Sequence, residues 1–222
     1  INSYKDFSER VPARTYEEFF DYIDRTIKGE QNIFCSENIK WFAQSSGTTN
    51  SKSKFIPVSK ESLEDCHYKA GKDVLCLYIN NNENSNLFSG KSLRLGGSKK
   101  ILNDGNKYFG DLSAILIDNL PIWAEMMSTP NNEISLMDKW DEKLDAVISS
   151  TINEDVTSLA GVPSWMLVLL NQVLNKTDKK NIIEVWPNLE VYFHGGVSFK
   201  PYKNEFKNII SNKNFNWIWK FR

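Results

Sequence analysis

The stretch VTSLAGVPSWMLVLLNQVL, residues 156–174, decides the fold that the sequence predicts. Its first five residues form a short run of apolar and β-branched character, which predicts a strand. Gly161-Val162-Pro163 follows and predicts a tight turn. Residues 164–174 are apolar on most sides, which indicates a largely buried helix. The stretch therefore predicts one strand followed directly by one helix.

The rest of the C-terminal third repeats this order. Residues 189–193 predict a second strand, His194-Gly195-Gly196 predicts a glycine turn, and residues 199–210 predict a helix. Residues 215–219 predict a third strand. Alternating strands and helices favour a parallel sheet, so the predicted fold class is α/β, a mainly parallel sheet with covering helices.

Ligands of a parallel sheet bind beyond the carboxyl ends of its strands. Both glycine-containing turns, 161–163 and 194–196, fall at such ends. Glycines there allow a flat ring or a phosphate to approach the backbone closely. The same residues are equally suited to plain strand-to-helix turns, so the pattern alone leaves both interpretations open.

A second distinctive stretch is QSSGTTNSKSK, residues 44–54, which residues 55–58 follow as an apolar strand. Its small side chains allow backbone N–H groups to converge on an anion, and its hydroxyls and Lys54 add donors. The stretch therefore predicts either a phosphate cradle or a polar turn between two strands. It is not a Walker loop, because Lys52 and Ser53 stand where that motif needs Gly and Lys after Gly47.

The N-terminal half predicts further helices and one more strand. Thr15 and Glu18 form a capping box for a helix over residues 16–28, whose apolar stripe we assign to the core: Tyr16, Phe19, Phe20, Ile23 and Ile27. Trp41 and Phe42 are expected to anchor the hydroxyl-rich loop. Ser59 caps a helix over residues 60–78, with one face made of Leu63, Cys66, His67, Ala70, Val74 and Leu77. His67 on that face is interpreted as a structural residue.

The middle of the chain predicts a strand over residues 92–97, closed by Gly96-Gly97 as a turn. Residues 112–127 predict two helices separated by Pro121. A helix near residues 134–148 carries mixed charges, which usually indicate a solvated face: Asp138, Lys139, Asp141, Glu142 and Lys143.

Composition excludes several classes of protein. The 222 residues are 41% hydrophobic and 25% charged, which is typical of a folded globular chain. The net charge of −1 gives no basic excess for nucleic acid or an anionic membrane, and no apolar run is long enough to span a bilayer. Three scattered cysteines favour a reducing cytosol over a disulfide framework, and two distant histidines predict no metal site.

Three segments together carry a resemblance to adenylate-forming enzymes. Ser46-Gly47-Thr48-Thr49 followed by Lys54 resembles their phosphate loop, and its longer spacing is typical of the Gretchen Hagen family of acyl acid–amido synthetases. These are auxin-responsive proteins of plants that also occur in bacteria, and we predict the bacterial type. Gly161-Val162-Pro163 and the Gly195-Gly196 turn after Phe193 resemble the family's later segments and occur in the family's order.

The resemblance implies a site and a reaction. A carboxylic acid would be joined to AMP from ATP, with Mg²⁺ present, and the acyl group would then pass to the amine of an amino acid. The residues implied for the β- and γ-phosphates are Ser45, Ser46, Gly47, Thr48, Thr49 and Lys54. Those implied for the adenine side are Gly195, Gly196, Val197 and Ser198, and those for the acyl pocket are Val162 and Trp165. No catalytic side chain, metal ligand or partner protein is implied.

The resemblance also implies that the chain is incomplete. Residues 1–222 would form part of the large N-terminal adenylation domain, because the family's later nucleotide motifs, expected from about residue 214, do not follow here. We therefore expect this chain alone to be inactive. The alternatives are an acyl-CoA-type ligase of the same superfamily and a non-catalytic remnant that binds a nucleotide or a carboxylate.

Overall fold

A computed structural model describes residues 2–45, 54–97, 102–104, 106–212 and 215–219. The helices are α1 Tyr4–Arg10, α2 Tyr16–Ile27, α3 Lys69–Asn80, α4 Leu112–Asp118, α5 Ile122–Met126, α6 Asn132–Ser135, α7 Trp140–Thr151, α8 Pro163–Thr177 and α9 Lys203–Ile209. A π-helix, Ser62–Tyr68, precedes α3, and a 3₁₀ turn spans Ile182–Glu184. The strands are β1 Trp41–Ser45, β2 Lys54–Val58, β3 Lys91–Arg94, β4 Leu102–Asp104, β5 Lys107–Gly110, β6 Ser128–Thr129, β7 Val156–Gly161, β8 Val191–His194 and β9 Asn216–Trp219.

The predicted parallel sheet is confirmed. Its five strands lie in the order β6-β3-β7-β8-β9, and every neighbouring pair is parallel. β7 and β8 are central, and all four residues of β8 are buried. Strands buried on both faces are expected to be continuously apolar, which explains why this part of the sequence was informative.

The largest core lies between this sheet and its helices. Residues of α7 and α8 pack on β3 and β7, with Leu93, Leu159, Met166 and Leu170 fully buried. Pro163 is the first residue of α8, a position where its missing N–H costs no hydrogen bond. The predicted strand–turn–helix unit is therefore the centre of the molecule.

A second, mixed sheet carries the hydroxyl-rich stretch. Its strands lie in the order β2-β1-β5-β4. β1 and β2 are antiparallel from Trp41 opposite Val58 to Ser45 opposite Lys54, so residues 46–53 join two paired strands. This agrees with the predicted strand-to-strand connection. Phe42 is fully buried, and Trp41 packs beside the cluster that contains Ala43, as expected for anchors of the loop.

Most predicted helices are present at their expected positions. α2 carries the Thr15–Glu18 capping box, and Pro121 separates α4 from α5. The predicted helix over 134–148 is instead divided into α6 and α7. The apolar stripe of α2 is only partly core, because Phe19 and Phe20 are 38% and 61% exposed while Ile23 is buried.

The face predicted for the helix after β2 is wrong in part. Leu63 is buried, but Cys66 is exposed and Leu77 is 63% exposed, whereas Tyr78 is buried. The π-helix explains the difference, because it has more residues per turn than an α-helix and shifts the phase of every later side chain. The sequence pattern assumed one α-helical period throughout.

The solvated face predicted for α7 is wrong at one position. Lys139 and Glu142 are exposed, as expected, but Lys143 is only 2% exposed. Among the described residues, no helix is both long and apolar enough to cross a membrane.

Candidate functional site

Three glycine-containing turns lie side by side at the carboxyl edge of the parallel sheet. Arg94 of β3 is opposite Ala160 of β7, and Gly161 of β7 is opposite His194 of β8. The residues that follow these strands therefore emerge next to each other: Leu95-Gly96-Gly97, Val162-Pro163 and Gly195-Gly196. This is the edge at which parallel sheets bind ligands.

The turn after β8 is fixed by aromatic packing. His194 is 4% exposed, and its ring stacks on Phe199 with 4.1 Å between ring centroids. Burial lowers the pKa of His194, because a charged imidazolium would lose its hydration. Gly196 has φ +87°, a left-handed conformation that favours glycine.

The residues predicted for the adenine side extend from this packed base. Gly195 is half-buried, whereas Gly196, Val197 and Ser198 are exposed. They begin beside β7, where the hydroxyl of Tyr192 donates to the carbonyl oxygen of Gly161 at 3.0 Å. The structure thus places the two predicted glycine turns next to each other, with exposed backbone at the second.

The two residues predicted for the acyl pocket lie at the start of α8. Val162 caps this helix, and Trp165 lies in its first turn. Trp165 is 50% exposed and contacts Trp140 of α7, with 4.5 Å between ring centroids. The pair forms an apolar surface beside the carboxyl edge of the sheet.

The hydroxyl-rich loop is described only at its stem. Ser45 is half-buried at the end of β1 and pairs with Lys54, while Ser46, Gly47, Thr48 and Thr49 lie outside the described residues. The Lys54 ammonium lies 3.3 Å from a carboxylate oxygen of Glu17. It also lies 4.9 Å from the centre of the Tyr16 ring.

Helix α2 fixes this stem from outside the sheet. The Tyr16 hydroxyl accepts from the N–H of Phe55 at 3.0 Å and donates to the carbonyl oxygen of Phe55 at 3.2 Å. It thereby occupies backbone groups on an edge strand. A hydrogen bond from its own backbone N–H, and then the Lys54 ammonium, lower the pKa of Glu17. The predicted phosphate role of Lys54 remains a prediction.

A continuous series of contacts links the stem to the glycine edge. Ala43 of β1 lies opposite Gly110 of β5, and Asp111 then caps α4 by accepting from the Ser113 N–H at 2.7 Å. The Ser113 hydroxyl oxygen accepts from the N–H of Gly97 at 2.8 Å. The ends of β1, β5 and β3 therefore meet around the first turn of α4.

The residues around Gly97 were missed by the sequence interpretation. The sequence predicts only a turn at Gly96-Gly97, and it gives no indication that Ser113 or Lys143 lies beside that turn. One signal was present: Gly96-Gly97 follows a predicted strand in the same way as the other two glycine turns. Only the order of strands in the sheet shows that the three turns are neighbours.

Metal-ligand chemistry is weakly represented in the described part of the chain. It contains no group of three or more His, Cys, Asp or Glu side chains that could hold a metal ion. Mg²⁺ in nucleotide sites is bound largely through water and phosphate oxygens, with one or two carboxylates. The described residues do not supply a dedicated metal site.

An open groove of about 470 Å³ lies between α2 and β2. Its apolar lining includes Phe19, Ile23, Phe34, Ile39 and Ile56. The exposed Phe19 of α2 is thereby explained, because the helix covers the groove without filling it. The groove shares Tyr16 with the stem and contains none of the predicted site residues.

Comparisons with known proteins give a consistent result. Residues 1–215 match the family model described as the GH3 family N-terminal domain. Indole-3-acetic acid-amido synthetase GH3.15 of Arabidopsis thaliana is 39% identical over 61 residues, which is 27% of this chain and 10% of that protein. The probable indole-3-acetic acid-amido synthetase GH3.7 of Oryza sativa subsp. japonica is 34% identical over 61 residues, 26% of this chain and 10% of that protein.

Solved structures share the fold at low sequence identity. AtGH3.15 acyl acid amido synthetase in complex with 2,4-DB has a TM-score of 0.73 at 15% identity, covering 96% of this chain and 46% of that chain. An open conformation of 2-hydroxyisobutyryl-CoA ligase in complex with 2-HIB-AMP and CoA has a TM-score of 0.58 at 12% identity, covering 99% of this chain and 44% of that chain. The chain thus spans about half the length of these proteins.

Proposed function

The chain belongs to the GH3 family, and we propose that it forms the nucleotide- and acid-binding part of an ATP-dependent acyl acid–amido synthetase. Such an enzyme activates a small carboxylic acid as its adenylate and transfers the acyl group to the amine of an amino acid. The match over residues 1–215 supports this function, as do the amido synthetase names of the similar plant proteins.

The observation that carries the proposal is the shared edge of the parallel sheet. Gly161 and His194 are paired neighbours, so Val162, Trp165 and the turn of Gly195 and Gly196 occupy one side of the molecule. An acyl-adenylate joins an apolar acyl group to a nucleotide. The exposed Trp165 surface and the neighbouring glycine turn suit these two parts of one ligand.

The proposed roles follow the chemistry of each segment. Gly195, Gly196, Val197 and Ser198 would lie along the adenine, where a backbone without bulky side chains permits close approach. Ser45 to Thr49 and Lys54 would hold the β- and γ-phosphates by hydrogen bonds and charge. Lys54 would exchange Glu17 for the nucleotide, since its present ion pair is exposed and therefore weak.

The reaction would proceed by positioning and charge stabilisation. A carboxylate oxygen bonds to the α-phosphorus of ATP, and the bond from that phosphorus to the bridging oxygen breaks to release pyrophosphate. The amine nitrogen then bonds to the acyl carbon, loses a proton, and AMP leaves. Mg²⁺ would accompany the phosphates, and no step is assigned to a metal held by this chain. The free cysteines at positions 35, 66 and 76 suit the proposed cytoplasmic location.

Calorimetric titration of the 222-residue chain with ATP and Mg²⁺ tests the nucleotide site. We expect saturable binding that is lost in Gly196→Val, because a β-branched residue is strained at φ +87° and fills the turn. Gly71→Val is the matched control, since an added Cβ at Gly71 meets nothing within 4 Å. Absence of binding by the unaltered chain would contradict the proposal.

Pyrophosphate exchange tests how much of the reaction this chain supports. We expect no exchange from the chain alone, because the later nucleotide motifs of the family are not within it. In a longer protein that contains this chain, amide products from amino acids would support the synthetase, and thioesters from coenzyme A would favour the ligase. The coenzyme A alternative has the shared fold of the 2-hydroxyisobutyryl-CoA ligase in its favour.

A further inference from the structure

Lys143 is a buried cation that the proposed reaction does not use. It lies on α7 with 2% of its surface exposed. Its ammonium donates to the carbonyl oxygens of Gly96 at 2.9 Å and Gly97 at 3.2 Å. Within the described residues, no carboxylate forms an ion pair with it. Burial lowers the pKa of Lys143, and the charge of Asp138 opposes that change.

Burying an ammonium group is costly unless its hydrogen bonds compensate for the lost hydration. Methionine would fill the same volume in this apolar environment without that cost. The carbonyl groups of Gly96 and Gly97 explain why a lysine occupies this buried position, because they follow the end of β3 and need a donor from outside the sheet. Backbone carbonyls that bend away from a strand end need donors when they are buried.

The same turn is also held by residues at the start of α4. The N–H of Gly97 donates to the Ser113 hydroxyl, which in turn donates to Asp111 at 2.5 Å. An added Cβ at Gly97 would lie 3.1 Å from Asp111 Cγ and from Ser113 Oγ. The turn is thus fixed by hydrogen bonds from two helices and leaves little room for a side chain.

The fixed turn borders the proposed ligand site. The N–H of Leu95 donates to the carbonyl oxygen of Ala160 at 3.0 Å, and the carbonyl oxygen of Leu95 lies 3.1 Å from the Cβ position of Gly161. Because Lys143 draws two carbonyl oxygens inward, their negative ends do not face a ligand at this edge. The buried positive charge also favours an anion on the outer side of the turn.

We propose that Lys143 is a positioning residue, which holds the Gly96-Gly97 turn in the form that the neighbouring site needs for an anionic nucleotide or acyl-adenylate. The inference rests on the proposed function for the identity of the ligand. The arrangement of the turn itself is independent of that function, so the two can be tested separately.

Lys143→Met tests the inference, with Lys139→Met as the matched control. Lys139 lies at the start of the same helix, is 77% exposed, and pairs only with Glu142 among the described residues. We expect the Gly97 amide to exchange with deuterium about 10-fold faster or more in Lys143→Met, as loss of a charged donor implies. We expect ATP with Mg²⁺ to bind about 10-fold more weakly, whereas Lys139→Met changes neither quantity.

A second variant separates a positioning role from general stability. Lys143→Gln keeps an N–H donor, and we expect it to restore part of the Gly97 protection and part of the ATP affinity at the same thermal stability as Lys143→Met. The Gln variant also supplies the measurement if the Met variant fails to fold.

The outcomes distinguish the two proposals. Unchanged Gly97 exchange in Lys143→Met overturns the inference, and so does a loosened turn with unchanged ATP affinity. An unaltered chain that binds no ATP contradicts the proposed function, while faster Gly97 exchange in the variant would still support the structural part of the inference.

Discussion

The parallel sheet and the β1–β2 hairpin carry the two halves of the proposed site, yet they are supported very differently. The sheet lies under α7 and α8, and its interior strand β8 is buried along its whole length. The hairpin has a small core around Ala43 and Val58, and β2 is an edge strand covered by α2. Phe20 of α2 is 61% exposed. The sheet therefore supplies an edge with a large core beneath it, and the hairpin supplies a stem with a smaller core and an exposed ion pair at its end.

This difference in support between the sheet and the hairpin has consequences for ligand binding. A rigid edge suits recognition of a flat ring and an acyl group, because a preformed surface loses little entropy when the ligand binds. The Lys54 side chain at the end of the stem is held by one exposed ion pair, which can rearrange at low cost. Such a stem suits phosphates, which leave the site as pyrophosphate in the proposed reaction.

The largest effect of a substitution on stability is expected in the core of the parallel sheet. Trp186 is fully buried, and its indole N–H donates to the Thr151 carbonyl oxygen at 3.1 Å. Trp186→Ala should lower the free energy of unfolding by about 3–5 kcal/mol, through a large cavity and the loss of this hydrogen bond. Phe20→Ala on α2 should change it by less than about 1 kcal/mol. Urea denaturation of both variants measures the contrast, and equal losses would refute it.

A side chain added to a glycine beside the sheet should be tolerated less well than one added to a glycine in an outer helix. A Cβ at Gly90, just before β3, would lie 2.4 Å from the backbone oxygen of Asp155. Gly90→Ala should therefore destabilise the protein by about 1–3 kcal/mol, as overpacking does. Gly71→Ala in α3 has open space and should stabilise it by up to about 1 kcal/mol. Thermal unfolding of the pair checks both signs, and a stable Gly90→Ala protein would show that the strand can shift.

The hairpin is expected to affect binding more than stability. Lys54→Ala should weaken binding of ATP by about 10-fold or more, because it removes a charge-assisted contact to phosphate. Its effect on unfolding should be small, since the pair with Glu17 is exposed. Lys60→Ala, which removes a comparable exposed pair with Glu64, is the control. Unchanged ATP affinity in Lys54→Ala would refute its role in the phosphate cradle.

The sequence was most informative for strands that are buried on both faces of the sheet. β7 and β8 are largely buried runs with several β-branched and aromatic residues, and glycines mark their ends, so the α/β fold and two of the three turns followed from pattern alone. The strand-to-strand connection between β1 and β2 followed from a polar loop next to an apolar run, whereas the antiparallel pairing came from the structure. These features depend on local composition, which a sequence displays directly.

The sequence was misleading where a contact depends on distant segments. Lys143 stands among charges typical of a solvated face, and only the fold brings the Gly96 carbonyl over it. Tyr78 replaces Leu77 in the core because the π-helix shifts the phase by a fraction of a turn. Neither an inward-pointing lysine nor an inserted π-turn changes the hydrophobic period enough to be recognised beforehand.

The smallest expected effect is a pH dependence that arises at the sheet edge. Burial lowers the pKa of His194 from its ordinary value of 6.5. Below that value the unfolded chain binds a proton that the folded chain does not, so this residue lowers stability as pH falls from 6.5 towards its folded pKa. Above 6.5 its imidazole is neutral in both states, and it contributes no pH dependence.

His194→Phe isolates this contribution, because phenylalanine keeps an aromatic ring against Phe199 and does not titrate. We expect the variant to lose less stability than the unaltered chain between about pH 7.5 and about pH 5.5. His67 is unchanged in both proteins, so the difference between them reports on His194 alone. Equal losses would mean that the His194 ring is protonated as readily in the folded chain as in the unfolded one. The edge of the sheet would then be more open to water than its packing indicates, and the contrast with the hairpin would be weaker.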